Sequence, residues 1–129
     1  MTPRRKVLLV QDDRFLRTAC EASLTERGFE VVTATDGRQG LALAQSERPA
    51  AILLDLLMPK LPGIEVLRAL KQHPATAAIP VVIIANSARE EDRTTVQSLG
   101  AVACYPKANL SLRALAATIE RLTAPASGS

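Results

Sequence analysis

Hydrophobic residues in this sequence fall into five short runs, separated by longer segments with a different periodicity. Each run is mostly continuous rather than alternating, as in strands that are buried on both faces of a parallel sheet. The runs cover residues 7–10, 30–34, 50–54, 80–85 and 101–105. In the intervening segments apolar residues recur every three or four positions, which is the period of an amphipathic helix. The first such segment carries Leu16, Ala19, Cys20 and Leu24 in this spacing.

The alternation of strands and helices predicts one α/β domain, a doubly wound five-stranded parallel sheet between two layers of helices. For five strands the common order is 2-1-3-4-5, the flavodoxin-like three-layer sandwich. We assign residues 1–123 to this domain and expect the small, polar tail at 124–129 to be disordered. Local signals predict where helices begin and end. The predicted N-caps are Asp36 and either Asn109 or Ser111, and the predicted stops are Gly28, Pro49, Pro74 and Gly100.

Composition and charge exclude several classes of function. The 129 residues contain no apolar run of 18, and the start of the chain lacks the long apolar region of a secretion signal. We therefore expect a cytoplasmic protein that does not bind a membrane. Residues 4–6 account for the net charge of +3 and only three residues are aromatic, so no nucleic-acid partner is expected. We interpret Cys20 and Cys104 as buried apolar residues in a reducing compartment.

Charged residues follow several predicted strands at their carboxyl ends, where ligands bind in this architecture. Asp12 and Asp13 come after the first strand, Asp55 lies at the end of the third, and Lys107 at the end of the fifth. The acidic loop after the first strand would repel phosphate, which argues against a glycine-rich nucleotide or flavin site. Carboxylate oxygens suit a hard divalent cation, above all Mg²⁺, which takes one or two carboxylates and keeps several waters.

These features resemble the receiver domain of bacterial two-component response regulators over residues 6–122. The motifs agree with that family in both order and spacing, which makes the set far more specific than Asp-x-x-Met-Pro alone. They are the acidic cluster after strand 1, Asp36-Gly37, Leu53-Leu54-Asp55-Leu56-Leu57-Met58-Pro59 followed by Gly63, Ile79-Pro80-Val81, Gly100-Ala101 and Lys107. The resemblance is to an atypical, single-domain, chemotaxis-regulator-like member.

The resemblance implies that Asp55 accepts a phosphoryl group from a histidine kinase, with Mg²⁺ as the cofactor. Asp12, Asp55 and the backbone carbonyl of Leu57 would bind the ion, and Lys107 would neutralise charge on the transferred oxygens. Asp13 is expected to cap the first helix instead of binding the ion. The domain is thus expected to be a phospho-accepting signalling module that takes part only in its own phosphotransfer and dephosphorylation, not an enzyme.

The chain departs from the family's pattern at three site positions. Gln11 replaces an acid and keeps an oxygen acceptor without charge, so it would reach the ion only through a water and weaken Mg²⁺ binding. Ala85 stands where the family has a hydroxyl that contacts the phosphoryl group. Asn86 or Ser87 could take over this contact, or both could be plain loop or capping residues. Cys104 replaces the aromatic that changes rotamer on signalling, so the usual relay is absent.

Two functions follow as the main hypotheses. The first is a stand-alone receiver that is phosphorylated on Asp55 and signals by docking to a separate output protein. The alternative is a pseudo-receiver that binds partners without phosphorylation, and a small-molecule enzyme or flavin carrier is a third, minor hypothesis. We favour the first because Asp12, Asp55 and Lys107 are all present. A surface of opposite charges on helix 4, strand 5 and helix 5 predicts a monomer or a weak homodimer. This surface comprises Arg89, Arg93, Arg113, Arg121, Glu90, Glu91, Asp92 and Glu120.

Overall fold

Strands and helices alternate along the chain as the sequence pattern predicts. The computed structural model describes residues 5–56, 61–85, 90–108 and 110–124. The strands are β1 (Lys6–Val10), β2 (Glu30–Ala34), β3 (Ala51–Asp55), β4 (Val81–Ala85) and β5 (Ala103–Pro106). The helices are α1 (Arg14–Glu26), α2 (Gly37–Glu47), α3 (Gly63–Gln72), α4 (Glu90–Ser98) and α5 (Leu112–Thr123). The third strand covers 51–55 instead of 50–54, so Asp55 belongs to the sheet.

The five strands are parallel and lie in the order β2-β1-β3-β4-β5. This result confirms the predicted flavodoxin-like sandwich. Successive residues of a strand point to opposite faces of the sheet, so the molecule has two cores. Leu8, Ile52 and Ile83 pack on the side of α2, α3 and α4. Leu9 and Leu53 pack on the side of α1 and α5. Burial on both faces explains why the central strands read as continuous apolar runs.

Side-chain oxygens cap three of the helices that the structure describes. Each oxygen accepts a hydrogen bond from a backbone N–H of the first helical turn, which has no partner within the helix. The capping residues are Asp13 for α1, Asp36 for α2 and Ser111 for α5. The caps at Asp13 and Asp36 were predicted and are confirmed. Of the two candidates for α5, Ser111 is the cap, whereas Asn109 lies outside the described residues. Gly28 and Gly100 follow α1 and α4 in the left-handed region, with φ of 92° and 104°.

The two cysteines differ in burial. Cys20 is 1% exposed, and burial raises the pKa of its thiol to about 11, as expected of a small packing residue on α1. Cys104 is only half-buried, because β5 is an edge strand with less cover. The expectation of two buried cysteines is therefore correct for Cys20 and wrong for Cys104. The two side chains form no disulfide with each other.

Two expectations concern the chain as a whole. Within the described ranges, no helix combines the length and the apolar character needed to cross a membrane. Of the tail predicted to be disordered, only Ala124 belongs to the described residues. Residues 125–129 lie outside them, so the disorder of the tail stays a prediction.

The connection between β3 and α3 passes very close to the end of the strand, and Gly63 makes this approach possible. The backbone N–H of Gly63 donates to the carbonyl oxygen of Leu56 at 3.0 Å. A Cβ atom at position 63 would lie 2.5 Å from the Cα of Leu56 and 2.6 Å from the carbonyl oxygen of Asp55. Non-bonded atoms do not come this close. The missing side chain of Gly63 therefore helps to fix the backbone that carries Asp55.

Replacing Gly63 by alanine should lower the free energy of unfolding by about 3 kcal/mol, because backbone atoms would have to move to admit the methyl group. Urea unfolding followed by circular dichroism measures this loss. Gly28→Ala serves as the control. Apart from Gly28 and its two chain neighbours, no heavy atom of the described residues lies within 4 Å of its Cβ position, so only about 1 kcal/mol of backbone strain is expected there. A Gly63→Ala protein as stable as the wild type would contradict the close contact.

Candidate functional site

Asp55 lies at the carboxyl end of β3, the middle strand of the sheet, and its side chain is fully buried. Leu53, two residues earlier, belongs to the core on the side of α1 and α5. Alternation along the strand therefore brings the Asp55 side chain to the same side. Aspartate is almost never fully buried unless other polar groups compensate it, because removing a carboxylate from water is costly. The residues around Asp55 must supply that compensation.

Lys107 supplies a positive charge close to Asp55. It directly follows β5, and its backbone N–H donates to the carbonyl oxygen of Ala85 at 2.7 Å. Its Nζ lies 3.5 Å from Oδ2 of Asp55 and 4.0 Å from Oδ2 of Asp13. The structure thus brings together Asp55 and Lys107, which are 52 positions apart in the sequence. The Lys107 side chain is 27% exposed, so it bridges the buried carboxylate and the surface of the molecule.

The loop between β1 and α1 carries the other two acids. Asp12 is exposed. Asp13 caps α1 through Oδ1, while its Oδ2 is the atom that faces Lys107. The guanidinium group of Arg17 donates to the carbonyl oxygens of Gln11 and Asp12 at 3.0 and 3.3 Å and so holds the loop backbone. Sequence reasoning missed this role, because nothing in the pattern distinguishes Arg17 from other charged residues on the outer faces of helices.

Gln11 is fully buried, and its side-chain oxygen is already engaged. Oε1 accepts a hydrogen bond from the backbone N–H of Asp13 at 2.9 Å. The amide nitrogen Nε2 has no hydrogen-bond partner among the residues that the structure describes. The oxygen that we expected to hold a water of the metal ion thus also accepts from the loop backbone, because the turn into α1 needs an acceptor at that point. A contact between Gln11 and a water of the metal ion stays a prediction.

The predicted phosphoryl contact and switch positions are only partly described. Leu57, the predicted carbonyl ligand, and Asn86 and Ser87, the candidates for the phosphoryl contact, lie outside the described residues. Ala85 ends β4 and is 3% exposed. Cys104 packs against the core on the side of α2, α3 and α4. Tyr105 packs on the opposite side, where its hydroxyl group is hydrogen-bonded with that of Thr118 on α5.

The carboxylates at this edge of the sheet fit a hard divalent cation. Mg²⁺ in proteins is commonly held by one or two carboxylates, with water completing an octahedral shell. Asp12 and Asp55 offer oxygen ligands of this type. Within the described part of the chain, no three acidic, histidine or cysteine side chains come together as a possible metal site. The donor set therefore suits Mg²⁺ or Mn²⁺ better than a structural zinc ion, which needs four protein ligands.

Two residues of the predicted charged surface face a different helix. Glu120 forms an ion pair with Arg27, which directly follows α1, at an Nη1–Oε1 distance of 2.9 Å. Arg113 lines a cleft of about 410 Å³ together with Arg27 and two α1 residues. Residues 113 and 120 share one face of α5, since they are two helical turns apart. Their assignment to the surface of α4, β5 and α5 is therefore wrong. Arg89 and the side chains of residues 90–92 lie outside the described residues.

The chain matches the response regulator receiver domain family over residues 7–120 and belongs to that family. It is 38% identical over 120 residues to the gliding motility regulatory protein of Myxococcus xanthus, an alignment that covers 93% of this chain and 15% of that protein. In four further curated relatives, the region that aligns with this chain makes up 39 to 43% of the relative's length. The chain thus spans less than half the length of each of these regulators.

Solved structures show the same fold. The chemotaxis protein CheY4 of Vibrio cholerae has a TM-score of 0.85 and 29% identity, covering 93% of this chain and 99% of that one. The receiver domain of a sensor histidine kinase from Pseudomonas aeruginosa has a TM-score of 0.84 and 26% identity, covering 94% and 98%. That structure has a magnesium ion coordinated in its active-site cleft. The domain is therefore a CheY-like receiver of the two-component class.

Asp13 combines a helix cap with a charge that faces Lys107, and two substitutions separate these roles. Asp13→Ala removes the cap and should lower the free energy of unfolding by about 1 kcal/mol. Asp13→Asn keeps an oxygen acceptor and should cost much less, because asparagine and aspartate cap helices about equally well. Urea unfolding followed by circular dichroism measures both variants. If both lost the same stability, the charge and not the cap would account for the effect of Asp13.

Proposed function

We propose that this domain is phosphorylated on Asp55 by a histidine kinase and signals by docking to a separate output protein. The observation that carries the proposal is the fully buried Asp55 carboxylate, with the ammonium group of Lys107 at 3.5 Å. The Asp55 carboxylate can act as a nucleophile, and the Lys107 ammonium beside it can neutralise negative charge on an incoming group. This combination favours the transfer of an anionic group, such as a phosphoryl group, to Asp55. A phosphorylation-independent pseudo-receiver has no need to keep this pair, so we do not favour it.

In the proposed reaction, an oxygen of the Asp55 carboxylate attacks the phosphorus of the donor. A new O–P bond forms while the bond between phosphorus and the leaving group breaks, and the leaving group takes the bonding electrons. That bond is N–P in a phosphohistidine and O–P in acetyl phosphate. Negative charge develops on the three other phosphoryl oxygens. Lys107 lies close enough to the Asp55 carboxylate to neutralise part of this charge.

Mg²⁺ is the cofactor that we propose for this reaction, with Asp12 and Asp55 as its side-chain ligands. When bound, the ion supplies positive charge to the phosphoryl oxygens. The oxygen donor set supports this proposal, and so does the magnesium ion in the Pseudomonas aeruginosa receiver. Gln11 is neutral, so the ion should bind more weakly than beside two adjacent acids. At about 5 Å, a unit negative charge and a divalent cation attract each other by roughly 7 kcal/mol at an effective dielectric constant of about 20, and reduced repulsion between carboxylates offsets part of this loss.

Docking with only weak conformational switching is the output that we propose. Ala85 has no hydroxyl group and Cys104 has no ring, so the usual coupling between a hydroxyl on β4 and an aromatic on β5 is absent. Phosphorylation should then change the shape of the domain less than in a typical receiver. We propose a mostly monomeric protein, or a weak homodimer, that binds neither nucleic acid nor membrane. We also propose the cytoplasm as its compartment, where Cys20 and Cys104 stay reduced.

Incubation with acetyl phosphate and Mg²⁺ should add one phosphoryl group to the protein. The adduct should be lost in Asp55→Asn, because an amide is a far weaker nucleophile than a carboxylate. It should also decrease strongly when EDTA removes the metal ion. Intact-mass spectrometry under native pH measures the modified fraction as a function of time.

Asp36→Asn is the matched control for this experiment. Asp36 also lies at the carboxyl end of the sheet, but it caps α2, and asparagine keeps that cap. This variant should be modified like the wild type. A wild-type protein that forms no adduct, under conditions that label an ordinary receiver, would contradict the proposal and favour the pseudo-receiver. An adduct that persists in Asp55→Asn would show that another residue is the acceptor.

A further inference from the structure

The side-chain amide of Gln11 has one group without a role in the fold. Gln11 is fully buried, so solvent cannot satisfy its polar atoms. Oε1 accepts from Asp13, but Nε2 has no hydrogen-bond partner in the described part of the chain. Buried donors without an acceptor are rare in native proteins, and each one calls for an explanation, such as a ligand that binds there.

The orientation of this amide is fixed by chemistry. The oxygen and nitrogen of a glutamine side chain can be exchanged in a structure, and the hydrogen-bond network decides between them. Here a backbone N–H from Asp13 needs an acceptor, which only the oxygen can provide. The NH₂ group must then occupy the other branch of the amide. Gln11 therefore presents two N–H donors at the buried end of β1, and these donors repel a metal cation.

The register of the sheet places Gln11 beside Asp55. Val10 pairs with Leu54 across β1 and β3, so Gln11, which directly follows β1, comes next to Asp55, the last residue of β3. Gln11 is still part of the ladder, since its backbone N–H donates to the carbonyl oxygen of Ala34 at 2.9 Å. Alternation from Leu9 and Leu53, which share one core, brings both side chains to the same side of the sheet. The unsatisfied donor and the proposed nucleophile thus lie at the same edge.

We propose that Nε2 of Gln11 donates a hydrogen bond to an oxygen of the phosphoryl group on Asp55. This inference rests on the proposed function and assigns Gln11 a direct role in it. Ala85 offers no side-chain donor to the phosphoryl group, and Gln11 supplies one from the other side of β3. An acid at position 11 would instead repel the phosphoryl oxygens. Compared with an acid at this position, Gln11 thus lowers the affinity of the site for Mg²⁺ and adds a direct contact with the phosphoryl group.

Two substitutions at Gln11 test this contact, with beryllofluoride as the phosphoryl mimic and saturating Mg²⁺. Gln11→Leu removes the donor, and beryllofluoride affinity measured by ¹⁹F NMR should fall by about tenfold or more, as expected for a hydrogen bond to a charged group. Mg²⁺ affinity, measured separately by calorimetry, should change little. Gln11→Glu keeps the acceptor for Asp13 but replaces the donor by an anionic oxygen. It should bind Mg²⁺ more tightly and, at saturating Mg²⁺, beryllofluoride more weakly than the wild type.

Gln39→Leu is the matched control, because Gln39 Oε1 also accepts from a loop backbone N–H, that of Thr35 beside the edge strand β2. This variant should bind beryllofluoride like the wild type. A direct readout is the side-chain NH₂ signal of Gln11 in ¹⁵N NMR, which should shift on beryllofluoride binding. Folded Gln11→Leu or Gln11→Glu protein with wild-type affinity for beryllofluoride at saturating Mg²⁺ would overturn this inference alone. A wild-type protein that binds no beryllofluoride would overturn it together with the proposed function.

Discussion

The arrangement of this site depends on the buried carboxylate of Asp55 and the ammonium group of Lys107 beside it. Asp55 has no exposed surface, and burial of such a group needs compensation from its surroundings. Because β3 is the central strand, that compensation must come from neighbouring strands and loops. Lys107 reaches Asp55 from the end of β5 at 3.5 Å and also lies 4.0 Å from Asp13. The cap of α1 and the buried Asp55 carboxylate are therefore linked electrostatically through Lys107.

The fold could be predicted from the sequence because its signals are local and repeated. Continuous apolar runs, helical spacing and the cap at Asp36 together define the alternation, and parallel topology limits the possible strand orders. The direction of individual side chains could not be predicted in the same way. Gln11 could contribute its oxygen or its nitrogen to the site, and only the position of the Asp13 N–H decides this. Glu120 turns to Arg27 because of how α5 packs on α1, which no spacing within α5 reveals.

Gln11, Ala85 and Cys104 differ from the residues usual in the family, but the fold is that of a typical receiver. We propose that these replacements alter how strongly the site binds Mg²⁺ and the phosphoryl group. In the proposed mechanism, the neutral Gln11 weakens the attraction for Mg²⁺, while its buried amide adds a donor for phosphoryl oxygens. Ala85 has no hydroxyl group and Cys104 has no ring, so we propose that the usual link between the site and the surface of β5 is absent. We propose that such a receiver is still phosphorylated, because Asp55 and Lys107 form a close pair. Its signal would then depend more on the altered charge near Asp55 than on a large change of shape.

A crystal structure of the protein with Mg²⁺ and beryllofluoride would show whether Asp55 and Lys107 together bind a phosphoryl group. We expect beryllium bonded to an Asp55 carboxylate oxygen, with the Nζ of Lys107 within hydrogen-bonding distance of a fluorine atom. We also expect a magnesium ion bound by Asp12 and Asp55. Beryllofluoride absent from Asp55 at saturating concentrations, or bound there with Lys107 turned away, would contradict the claim that this pair forms a phosphoryl-accepting site.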